Sequence, residues 1–174
     1  MYLSIMHVIK YILLIGIFGL STAIGMLISK SYYNRVVELK ELKNILNIMK
    51  TKIKFTYEPL AEIFKQIAKD NETNIEKIFA QMANQLSYYP ASEVWENCIQ
   101  EADISIRQED KDILKKLGKL LGQTDVDGQI SEIEVTENFL NMQIEKAEEE
   151  KKKNQKMYKT LGVVAGLVFV IILC

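Results

Sequence analysis

Between Tyr11 and Ser29 the chain reads YILLIGIFGLSTAIGMLIS, about 19 residues without a charge. At 1.5 Å rise per residue such a helix reaches about 28 Å, close to the roughly 30 Å of a bilayer's hydrocarbon core. A second apolar run, LGVVAGLVFVIILC, occupies positions 161–174. Alone it would reach only about 21 Å, but extended back to Met157 it reaches about 27 Å. In that extension Lys159 snorkels to the headgroups and Tyr158 sits at the interface. Two spanning helices are therefore expected, one near each end.

The basic residues set the direction. Lys30, Arg35, Lys40 and Lys43 follow the first apolar run, and Lys151, Lys152, Lys153, Lys156 and Lys159 lie ahead of or at the start of the second, whereas the outer flanks carry only Lys10, His7 and the amino terminus. The positive-inside bias predicts a cytoplasmic central region with both termini outside. A cleaved signal peptide is the competing reading, since Lys10, an apolar run and Ser21-Thr22-Ala23 imitate its three parts. Apolar residues continue past that point through Ile24, Met26, Leu27 and Ile28, which favours the span. Small residues recur inside the spans: Gly19 and Ala23, Ser21 and Gly25, then Gly162 and Gly166. Pairs at this spacing let helices approach closely, so Gly162 and Gly166 are candidate helix-packing positions.

Between the spans, apolar residues repeat at helical intervals with no alternating run that would form a strand, which predicts an all-α fold: a six-helix bundle between the two membrane helices. The expected layout is a first transmembrane helix over 1–30, the bundle over 31–147, a charged helical stalk over 148–160 and a second transmembrane helix over 161–174. Leu39, Leu42, Leu46, Met49 and Ile53 form the core stripe of the first bundle helix. Pro59 can open a second helix carrying Leu60, Ile63, Phe64 and Ile67. Thr73 and Glu76 form a capping box for the third, Ser92 can cap the fourth, and Ser105 with Gln108 has capping-box spacing for the fifth. Trp95 and Cys98 read as core residues. In the stalk, Glu148 with Lys152 and Glu149 with Lys153 are i,i+4 pairs in the favourable order.

Chemistry is sparse. The only histidine is His7 and the only cysteines are Cys98 and Cys174, so the central region can build neither a histidine-containing zinc site nor a histidine-activated nucleophile. The predicted topology puts the two cysteines on opposite sides of the membrane. Gly118 and Gly122 are isolated in a helical pattern without Walker spacing, so no phosphate loop is present. The carboxylates appear to the pattern as solvated helix faces with no acid/base partner, and no catalytic residue or cofactor is expected. Positions 123–134 set Asp125, Asp127, Gly128, Ser131 and Glu134 at EF-hand loop positions, but Gln123 stands where the first anionic ligand belongs. A helix-helix turn capped by Asp125 or Thr124 is the simpler reading. The lysines from Lys151 adjoin the membrane and suit a bilayer better than nucleic acid.

Across essentially its whole length the chain resembles the stage III sporulation AB family of endospore-forming bacteria. The resemblance rests on the N-terminal span, on Tyr57-Glu58-Pro59-Leu60 leading into Ile67-Ala68-Lys69, on Trp95, and on Leu121-Gly122-Gln123-Thr124-Asp125-Val126-Asp127-Gly128-Gln129. The terminal Lys159-Thr160-Leu161-Gly162 with its apolar tail completes it. The spacing of Leu121, Gly122, Asp125 and Gln129 is the most specific piece; Gln123, Thr124 and Gly128 leave it intact. That family is similar in turn to the cytoplasmic helical domain of the type II secretion F proteins, the inner-membrane platforms of secretion machines. The resemblance implies a non-enzymatic platform in the mother-cell membrane facing the forespore, part of a channel complex between the two cells. It would work with a secretion-type ATPase, stage III sporulation protein AA, with other stage III channel proteins, and in a possible homo-oligomer. Tyr57, Pro59, Leu60, Leu121, Gly122, Asp125 and Gln129 are then structural or partner-binding positions. A membrane-anchored helical sensor or scaffold is the alternative from another class, against which stands the short segment before the first span. A secreted helical protein after signal cleavage is the third.

Overall fold

A computed structural model describes residues 2–56, 58–69 and 72–173, with side-chain burial and contacts from residue 9 onward. Every regular element among the described residues is helical: α1 (Tyr2–Phe55), α2 (Leu60–Ile67), α3 (Asn74–Gln85), α4 (Ala91–Glu101), α5 (Gln108–Gly118) and α6 (Val126–Leu173). The expected all-α, six-helix architecture is what the chain adopts, with each apolar end continuous in helix with a long bundle helix. The chain divides into two compact units, one of residues 1–34 and 147–174, the other of Arg35–Lys146.

The Arg35–Lys146 unit is organised by the stripes read from the sequence. Leu39, Leu42, Leu46 and Met49 of α1 are all at most 1% exposed. Ile63, Phe64, Ile75, Phe79, Met82, Trp95, Ile99, Leu114, Leu117, Ile133 and Leu140 are buried with them. Burial of each such side chain contributes about 1.5–3 kcal/mol. Phe64, Phe79 and Trp95 meet edge-on or tilted, with ring centroids 5.3 to 6.0 Å apart, and tie α2, α3 and α4 together. The Trp95 indole N–H donates to the Leu114 carbonyl at 2.7 Å. Gly118 lies so close to the indole that a Cβ there would overlap it, so this turn of α5 tolerates only glycine.

Helix ends follow local chemistry. The third helix has its capping box: Glu76 N–H donates to Thr73 Oγ1 at 3.0 Å, and Thr73 N–H donates to Glu76 Oε2 at 3.1 Å. Pro59 stands one place earlier than expected, as the residue before α2. Two caps differ from the sequence expectation. Ser92 lies inside the first turn of α4, because Pro90 fixes an extended backbone and starts the helix at Ala91. Ser105 does not cap α5 either; its N–H donates to Glu38 Oε2 at 2.5 Å, and the α5 start falls to Arg107, whose N–H donates to Asp110.

The unit of residues 1–34 and 147–174 has the opposite polarity of a water-soluble helix pair. Gly25, Gly162 and Gly166 are buried, while Ile12, Leu13, Ile15, Leu20, Leu27, Ile171 and Ile172 are exposed. Two described helices, α1 and α6, are long and apolar enough to cross a membrane.

Candidate functional site

Two constellations bring together residues singled out in the sequence. The first is the turn between α5 and α6. Leu121 is 1% exposed and anchors it. Gly122 follows with φ of +73°, a left-handed conformation that any side chain would strain. Asp125 stands before α6 and accepts the Gly128 N–H on Oδ1 at 2.9 Å, which satisfies one of the free N–H groups of the helix start. Gln129, one turn into α6, reaches back to clasp the turn: its Oε1 accepts the Gly122 N–H at 3.1 Å and its amide donates to the Thr124 carbonyl at 3.0 Å. Gly122, Asp125 and Gln129 thus form one hydrogen-bonded unit beside the buried Leu121. Leu60 belongs beside it, since a Cβ on Gly122 would lie 3.5 Å from Leu60 Cδ1. Pro59 is exposed at the head of α2, and Tyr57 lies outside the described residues.

This geometry bears on calcium. Helix α6 starts at Val126, so Ser131 and Glu134 are already helical rather than wrapped around an ion. Asp125 is engaged with backbone, and among the described residues no group of three or more His, Cys, Asp or Glu side chains is placed to hold a metal ion.

The second constellation joins the apolar parts of α1 and α6. A Cβ on Gly162 would lie 2.9 Å from both the Gly25 Cα and the Ser21 carbonyl oxygen, and one on Gly166 would lie 2.9 Å from the Phe18 ring. The Ser21 hydroxyl donates to the Gly162 carbonyl at 2.8 Å, a part-buried bond between the two helices. Gly19 and Ala23, the other small pair, face outward, and Gly19 has nothing within 4 Å of a Cβ position. Beyond the glycines, Tyr32 and Tyr158 stack at 5.8 Å, and the Lys151 ammonium lies 4.5 Å above the Tyr33 ring.

The sequence reading missed a third feature. Asp110 is not on a solvated face: it is fully buried and held by Arg35, Nε to Oδ2 at 2.9 Å and Nη2 to Oδ1 at 3.0 Å. Gln143 and the Arg107 N–H complete the network at 3.1 and 2.8 Å. Arg35, counted among the flanking charges that orient the first span, is 2% exposed and committed to this pair. The one available signal was the position of Asp110 three residues after the α5 N-cap. Glu38 is also largely buried; desolvation pushes its carboxyl up, against the lowering effect of the Ser105 N–H, with Glu41 and Asp103 adding to the rise. Burial likewise raises the Cys98 thiol, with Glu101 adding to it, which disfavours the reactive thiolate.

Comparison with known proteins agrees with these features. The family model for stage III sporulation protein AB matches residues 10–174. Stage III sporulation protein AB of Bacillus subtilis (strain 168) is 27% identical over 157 residues, covering 88% of this chain and 92% of that protein. A solved structure of a stage III sporulation protein AB superposes with a TM-score of 0.65 at 22% identity, covering 69% of this chain and 98% of that one, a likeness of fold. With its family match running from the first apolar segment through the glycine turn to the last residue, the chain belongs to the stage III sporulation protein AB family and is a sporulation protein.

Proposed function

We propose that this chain is a non-enzymatic platform in the mother-cell membrane facing the forespore, joining a cytoplasmic secretion-type ATPase to the membrane proteins of a channel complex. The observation that carries the reading is the inverted polarity of the 1–34 and 147–174 unit, where glycines and Ser21 meet inside and bulky apolar residues face out. Such a pair is stable where the surrounding solvent is hydrocarbon. The lysines around 151–159, with Lys30, Lys40 and Lys43, then keep the bundle in the cytoplasm and the termini outside.

The bundle offers a docking stripe. Val135, Phe139 and Met142 follow at i, i+4 and i+7 along α6 and are 43%, 49% and 65% exposed. An exposed apolar stripe along one helix suits a protein partner. The stage III sporulation protein AA ATPase is the proposed occupant, since this chain has no phosphate loop of its own. A photo-crosslinking residue at position 139, used in sporulating cells, should capture that ATPase or another stage III protein. Capture at a control position such as Lys77 but not at 139, or of no stage III protein at either, would reject the platform role.

A further inference from the structure

We propose that the 1–34 and 147–174 unit carries a built site for the phosphate groups of an anionic lipid headgroup. Where the apolar run of α1 ends at Ser29, a cleft of about 570 Å³ opens, lined by Ser29, Glu148, Lys151, Lys152, Lys156 and Lys159. Four lysines and one glutamate thus border it, with Gln155 between them. Lys152, Lys156 and Lys159 are exposed along α6, where their ammonium groups can reach a ligand. The Ser29 residue is 6% exposed, at the floor of a basic cleft.

The position selects a lipid over a free anion. Toward one side lie the close-packed Gly25 and Gly162, whose neighbouring outward residues Met26, Leu27 and Leu161 are apolar and exposed. Toward the other, the Tyr32 and Tyr158 stack and the Lys151 to Tyr33 contact supply the aromatic girdle of a headgroup layer. A phosphate in the cleft would therefore have acyl chains running along an apolar surface that already faces outward. Lysines bind phosphate as mobile point charges, and four of them against one carboxylate leave an excess that one phosphodiester does not neutralise. A headgroup with two phosphodiesters, of the diphosphatidylglycerol type, offsets more of that charge than a headgroup with one. Basic clefts between membrane helices at the cytoplasmic interface are the physical setting for such binding.

The inference rests on the membrane reading above, and its test separates the two. The full chain, purified in a non-ionic detergent, is mixed with diphosphatidylglycerol, phosphatidylglycerol, phosphatidylcholine or inorganic phosphate, and retained ligand is counted by native mass spectrometry. One diphosphatidylglycerol per chain should be held about tenfold or more tightly than phosphatidylcholine. The K152Q/K156Q/K159Q variant should lose it, while K40Q/K43Q/K54Q, with the same charge change outside the cleft, should keep it. Equal retention of all lipids, equal loss in both variants, or displacement by inorganic phosphate at the lipid's own concentration would each overturn the proposal. Release of the protein from membranes by alkaline carbonate would instead sink the membrane reading, whatever the lipid counts show.

Discussion

Asp110 and Arg35 show how a single pair can be invisible in a pattern and dominant in a fold. The sequence pattern weighs a carboxylate near a helix start as solvated, and nothing local tells that a guanidinium 75 positions earlier will close over it. Once both are buried, removing one partner leaves a charge without compensation, which costs about 3–5 kcal/mol. Asp110→Ala should therefore lower the unfolding free energy by about that amount in urea titrations, whereas the double change Arg35→Met with Asp110→Leu should recover most of it. Glu38 predicts a pH dependence. Its folded carboxyl titrates above the ordinary 4.5, because burial disfavours the anion. The native state then holds the proton more tightly than the unfolded chain, so this group's contribution is complete below 4.5 and is lost as pH climbs through the raised value. Glu38→Gln should gain on the parent protein as thermal melts move from acid to neutral pH, and a pH-independent difference between the two would refute this.

The helices were the most legible part of the chain, since their stripes are set by the 3.6-residue period and each stripe had a core to face. Their ends were less so. The Thr73 and Glu76 box depends only on residues within one turn and was readable, but Ser105 was drawn away by Glu38 from a distant part of α1. The turn at Leu121, Gly122, Asp125 and Gln129 stood out as a spacing, while its meaning, a side-chain clasp on a left-handed glycine, needed coordinates. Gly122→Ala should cost about 1–2 kcal/mol, with Asn less damaging, by the same denaturation assay. In the apolar pair the sequence offered three small-residue sets and singled out Gly162 and Gly166 for packing, without showing what they meet. Gly162→Leu should separate α1 from α6 there and lower the melting temperature in detergent, and Gly19→Leu should leave it unchanged because nothing stands within 4 Å. Equal effects of the two would refute the packing.

Family, helical class and the two apolar helices follow from the chain directly, whereas its orientation rests on charge placement alone. With Cys174→Ser, so that the terminal cysteine expected outside cannot react, a cysteine introduced at Lys77 should react with a membrane-impermeant maleimide only after cells are opened. Labelling of intact cells would invert the topology. The native Cys98, 3% exposed and with its thiol pushed up by burial, should stay silent in that experiment until the bundle unfolds. The chain also has one tryptophan, and Trp95 is 1% exposed between Phe64, Phe79 and Gly118. Fluorescence excited at the red edge of its absorption therefore comes from the interior of the Arg35–Lys146 unit and from nowhere in the apolar helix pair. Loss of order in that unit can be followed optically in intact proteoliposomes, without extracting the protein.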